Sequence, residues 1–279
     1  MRKNVRLYSL SMLVSVLLLM LSNHSEGILG DVLLCFAILI PLVVCELHAM
    51  REHREREEER GMAIDYRSYF GIKKDKALIF LPTVIPTVAA IAAVSYLTVL
   101  LMGAFGYSSD VSLEGSLPVL LVTYALSTAV VEELLFRYLP MRLFGHHSPR
   151  GAVVISALLF GFYHLDLFKI PYAILAGVIF MTVDLMADSV IPSTVIHFVN
   201  NAISITMIKY SDNNGVMTAV YISLGVLLLL SLALIVRKRR NYVRELRAAL
   251  AEGDDNTYCP SVLALPLVSL IYSTVILIN

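Results

Sequence analysis

Long apolar runs alternate with short polar stretches along this chain. A helix needs about 20 mainly apolar residues to cross a bilayer. Runs near 6–22, 28–47, 77–103, 117–140, 150–168, 170–187, 190–208, 216–236 and 261–278 therefore predict an all-α, polytopic bundle of about eight to nine membrane helices. The fifth to seventh runs are short and joined by tight polar turns, a pattern common where helices line an internal site. Pro260 and Pro266 interrupt the start of the last run. Met1-Arg2-Lys3-Asn4-Val5-Arg6 before an apolar run is also how a signal peptide begins. However, Ser22-Asn23-His24-Ser25 offers no small-x-small cleavage site, which predicts a retained helix.

Composition agrees with this pattern. Hydrophobic residues make up 58% of the chain and charged residues 16%, against roughly 25% charged in soluble domains. The net charge of zero points to neither acidic nor nucleic-acid partners, and the bilayer itself is the expected surrounding. The three cysteines show no metal-type spacing and no disulfide framework. Placing the N-terminus in the cytoplasm puts 19 of the 22 Lys and Arg on that side, and the reverse orientation would invert the ratio. Only Lys169 and Lys209 fall outside, and Arg137 lies within a span.

The stretch Arg51–Arg60 mixes both signs and reads as a solvated helical connection with i,i+4 pairs. The predicted organisation is residues 1–103 as N-terminal membrane helices with a charged cytoplasmic loop 48–76, residues 117–208 as a catalytic core, and residues 209–279 as C-terminal membrane helices.

Candidate chemistry gathers at three polar stations in the core. The first is Glu132-Glu133-Leu134-Leu135-Phe136-Arg137. Ionisable side chains in hydrocarbon cost about 2.5–3.5 kcal/mol each on insertion scales, so three together call for a function. Glu133 and Arg137 are four apart and share a helix face, where they can pair. Glu132 lies about 100° round the helix and can point elsewhere, which leaves one glutamate for structure and one for chemistry. A membrane-edge position with Arg137 snorkelling is the simpler alternative.

The second station is Phe160-Gly161-Phe162-Tyr163-His164, where Gly161 and Ala157 would let a neighbouring backbone approach. The third is His197-Phe198-Val199-Asn200-Asn201, where His197 and Asn201 face the same way and can converge on one oxygen. Either histidine alone could be a simple interhelical hydrogen bonder. The expected depths allow all three stations to share one cavity facing the cytoplasm. Asp184 reads as a structural hydrogen bonder, and His146 and His147 as part of a solvated loop.

A carboxylate beside a histidine can activate water, and a second histidine with an amide can stabilise an oxyanion. That equipment suits amide hydrolysis. The chain has no serine elbow, no HExxH, and no cysteine near the stations. Two histidines and a glutamate are nonetheless ligand types of a catalytic zinc site. Metal-free chemistry and metal-assisted hydrolysis, with Glu132, His164 and His197 as ligands of zinc or another divalent metal, both fit the residues.

EExxxR, then FxxxH, then HxxxN, on successive membrane helices, resembles the CAAX protease and bacteriocin-processing enzyme family, which includes the type II CAAX prenyl endopeptidases. The match covers about 132–201. The resemblance implies an intramembrane endopeptidase acting on a membrane-associated peptide or protein. It implies that Glu132 and His164 activate the attacking water and that His197 and Asn201 form the oxyanion site. Glu133 and Arg137 would brace the pocket, with Phe160 packing the second motif. In bacteria, where the plasma membrane is the expected location, it implies peptide maturation or self-immunity to bacteriocins. The competing readings are a catalytically silent membrane scaffold that regulates a partner and a transporter with a buried ion relay. A transporter should show two related halves with broken helices, and none is visible.

Overall fold

A computed structural model describes residues 1–60, 68–71, 113–145, 147–251 and 259–278, with isolated positions 88, 89, 91, 93, 97 and 103. The described residues are helical throughout, with no strand among them. We label the helices α1 (Arg2–Asn23), α2 (Ile28–Arg60), α3 (Leu117–Gly145), α4 (Pro149–Tyr163), α5 (Lys169–Ala187), α6 (Ile191–Lys209), α7 (Asn214–Ala251) and α8 (Ala264–Ile278). Five of them, α1, α2, α3, α5 and α6, are long and apolar enough to cross a membrane. Pro149–Tyr163, Asn214–Leu230 and Pro260–Ile276 are shorter apolar helices. The protein is an integral membrane protein. Most of the expected span 77–103 lies outside the described residues, as do His146 and residues 61–67 and 72–76 of the 48–76 loop.

The chain forms two compact units. One comprises Met1–Tyr69, Leu134–Met181 and Leu250–Asn279. In it, α1 carries hydroxyls at helical spacing that bind its neighbours. Ser15 Oγ donates to the Ala37 carbonyl of α2 at 2.5 Å, Ser22 Oγ to the Gly30 carbonyl at 2.8 Å, and Ser11 lies 3.3 Å from Cys45 Sγ. Where apolar surface gains nothing by leaving lipid, small and polar residues supply this kind of adhesion. On α8, Ser269 Oγ donates to the Phe162 carbonyl of α4 at 2.6 Å.

The approach of α4 and α5 rests on small residues, as expected for Gly161. A Cβ on Gly161 would lie 2.3 Å from Ile174 Cγ1, and one on Gly177 would lie 2.7 Å from Ala157 Cα. Because the Gly177 neighbour is backbone, a side chain cannot be absorbed by a rotamer change. Gly177→Ala should destabilise this pair by about 1–3 kcal/mol through overpacking. Gly225→Ala, with nothing within 4 Å of its Cβ, should not. Thermal unfolding of the two purified variants checks the difference.

The other unit comprises Phe70–Glu133 and Thr182–Ala249. Here α6 runs antiparallel to the first half of α3. Lys209 Nζ donates to the Gly115 carbonyl at 2.6 Å. Further along, Leu120, Ala125 and Ile205 form a buried cluster flanked by Leu117, Leu121, Phe198 and Ala202. The same alignment brings His197 level with the end of this half of α3.

The mixed-sign stretch at the end of α2 behaves as expected. Arg51 Nε pairs with Glu55 Oε1 at 3.1 Å, four residues along an exposed face.

Candidate active site

α3 is not a uniform α-helix. Its backbone widens to π-type turns at Leu121–Leu126, Leu134–Tyr138 and Met141–Gly145. Such turns shift the side-chain register and occur often at functional sites. The second one begins directly after Glu133.

His197 lies between two carboxylates. Its Nδ1 donates to Glu133 Oε1 at 2.7 Å, and its Nε2 faces Glu132 Oε2 at 3.5 Å. An ionised carboxylate only accepts hydrogen bonds, so the short contact fixes a proton on Nδ1. The longer contact exceeds a good N–H···O distance. The Glu133 side chain is 1% exposed, that of Glu132 16%, and that of His197 6%. Glu133 is therefore sealed and directional, and Glu132 is more loosely held and more accessible. The spacing predicts that Glu133 pairs with Arg137 and leaves Glu132 to point elsewhere; here both carboxylates face His197. The two nitrogens of one imidazole lie on opposite sides of the ring, so a single histidine can meet two carboxylates that leave the helix in different directions.

α6 is anchored just upstream of His197. The buried Asp184 at the end of α5 accepts the Ser193 backbone N–H at 3.0 Å and the Ser193 hydroxyl at 2.5 Å. Ser193 is the third residue of α6, so Asp184 satisfies one of the amides that a helix start leaves without an internal partner. Ser193 and His197 are four apart on one face, and the same carboxylate therefore sets the first turn that carries His197. Asp184 is the structural hydrogen bonder expected for it. Asn200 is buried, and Asn201 is half-buried one turn beyond His197.

The remaining motif residues belong to the other unit. Arg137 is fully buried, with its guanidinium carbon 4.2 Å from the Phe160 ring centre and 5.0 Å from that of Phe180. Stacking between two aromatic faces stabilises a cation away from water. Phe160, expected as a packing residue, thus also holds the motif arginine.

His164 follows α4 rather than lying within it. The expected run 150–168 is helical only to Tyr163, and Leu165 turns the chain with a left-handed φ of 55°. His164 Nδ1 bonds the Phe160 carbonyl at 2.8 Å, and its ring meets Phe160 edge-on at 4.9 Å. A carbonyl can only accept, so Nδ1 carries the proton and Nε2 is left as the acceptor of the neutral ring. That tautomer suits a base.

The sequence reading missed the π-type turns and the grip of Asp184 on Ser193. An acidic residue nine positions before a serine near a helix start is too loose a signal to find the second. Glu132 and His197 offer two donors of the kind zinc takes, while a catalytic zinc takes three from the protein. Among the described residues, no group of three His, Cys, Asp or Glu side chains is placed to hold a metal ion.

Residues 114–203 match the family model of the Rce1-like type II CAAX prenyl endopeptidases. The match covers 90 of the 279 residues, and this segment is similar to that family. No curated protein and no solved structure matches the chain. All the residues of the three stations fall inside the matched segment, and Asp184 and Ser193 do too. Helices α1, α2, α7 and α8 lie outside it.

Proposed function

We propose that the chain is an intramembrane endopeptidase that hydrolyses a peptide bond of a membrane-associated substrate, such as a lipidated C-terminal segment of CAAX type. The observation that carries this reading is His197 held between Glu132 and Glu133 inside a segment of CAAX protease type.

Glu132, the looser carboxylate, takes a proton from water as the water oxygen bonds to the scissile carbonyl carbon. His164 is assigned to the same water on the strength of the motif order, with its Nε2 as acceptor. The carbonyl oxygen becomes an oxyanion, and donors on one face of α6, His197 and Asn201, are assigned to it. Glu133 fixes the imidazole by accepting the hydrogen bond from its Nδ1–H. A His197 ring that also carries a proton on Nε2 would offer it to the oxyanion. The C–N bond then breaks, and Glu132 returns its proton to the leaving amine. Arg137 and Phe160 support the second motif from the stacked cluster. In this reading the N-terminus is cytoplasmic, the site opens to the cytoplasm, and a bacterial plasma membrane with membrane peptides as substrates is the expected setting.

The test is purified protein in liposomes against a panel of membrane-anchored and lipidated peptides, each with and without chelator. The reading expects cleavage of at least one peptide, unchanged by chelator. Loss with chelator and recovery with zinc would replace the metal-free mechanism. Cleavage of none by folded protein would favour a scaffold.

A further inference from the structure

The π-type turns of α3 are gripped from outside by α1. Tyr8 Oη donates to the Leu135 carbonyl at 3.1 Å, and Asn4 Nδ2 donates to the Leu143 carbonyl at 3.0 Å. Both acceptors lie in the widened stretches, Leu134–Tyr138 and Met141–Gly145. Asn4 and Tyr8 are four apart and so share one face of α1. A third donor, Ser156 Oγ of α4, bonds the next carbonyl, that of Phe136.

A change from α to π pairing displaces carbonyls from their ordinary i→i−4 partners, and in a membrane an unpaired carbonyl is costly. External donors are what let such a stretch persist. Tyr8 is fully buried, with its ring 5.8 Å from Phe144, so its hydroxyl has a fixed place. Leu135 follows Glu133 by two residues in the same helix. The π-type stretch that holds Leu135 begins at Leu134, directly after Glu133 in the chain.

We propose that Tyr8 is a positioning residue for the hydrolytic site, and that α1 is a splint holding the π-type register behind the two glutamates. α1 lies outside the segment matched by the family model, so a helix added to the core would set the geometry of the core's first motif. The proposal rests on the hydrolytic reading for its effect on rate, but not for its effect on the backbone.

The experiment compares wild type with Tyr8→Phe and Ser9→Ala in liposomes. Ser9 is the control, because its buried hydroxyl donates to the Val5 carbonyl within α1 itself. The first readout is amide hydrogen exchange of the peptide covering 134–145. The second is kcat and KM per folded molecule. Tyr8→Phe should speed exchange in that peptide and lower kcat about tenfold with KM unchanged, a modest misplacement of the reacting groups. Ser9→Ala should change neither. Wild-type exchange in Tyr8→Phe would overturn the splint, whatever the activity. Faster exchange with kcat and KM both unchanged would overturn the positioning role. Absence of cleavage by wild type would remove the hydrolytic reading, and the positioning role with it, while exchange would still decide the splint.

Discussion

Glu132→Ala should lower kcat/KM by about 10²- to 10⁴-fold, the range expected for loss of a general base, with little change in the amount of folded protein. Glu132 is the carboxylate with room to act. Its side chain is partly exposed, and its contact with His197 is long. Glu132→Gln should fail equally, since an amide cannot take a proton from water. Glu132→Asp should retain part of the rate. Peptide cleavage measured beside thermal unfolding checks both halves of this expectation. An unfolded Glu132→Ala would show that the residue holds the helix pair together.

His197→Ala should cost both activity and stability. Removing the imidazole leaves the sealed Glu133 without the Nδ1 donor and leaves the two carboxylates with no ring between them. Leaving a buried hydrogen-bonding group unsatisfied costs about 1–3 kcal/mol, and more when it is charged. Losing an oxyanion donor costs about 10²–10³ in rate. Glu133→Gln provides the comparison. Its amide oxygen still accepts from Nδ1, so the fold should survive while the fixed charge behind the ring is lost. Unfolding midpoints and kcat measured for both variants separate the two effects. A stable His197→Ala protein would show that the two carboxylates do not depend on the ring.

The membrane helices were legible in the apolar runs because a bilayer imposes a length that needs no tertiary information. The Gly161 approach and the Arg51–Glu55 pair were legible for similar reasons, since both follow from spacing on one helix. The geometry around His197 was less so. A straight helix of regular period separates Glu132 from Glu133 by about 100°, which left Glu132 without a predicted partner on its own helix. Widening of the backbone beyond Glu133, and an imidazole with two usable edges, are tertiary facts. The end of α4 was misjudged for a comparable reason. Leu165 takes a left-handed turn usually given to glycine, so no residue type announced that His164 would cap the helix instead of continuing it. Asp184 was read as structural, but what it holds, the first turn under His197, needed the fold.

The central claim is that this site hydrolyses peptide bonds through Glu132. Its most direct measurement is mass spectrometry of a lipidated, membrane-anchored peptide incubated in ¹⁸O-labelled water with wild type and with Glu132→Gln. The account predicts a shortened product from wild type carrying one ¹⁸O at its new carboxyl terminus, and none from the variant. No product from folded wild type, or equal product from the variant, would contradict it.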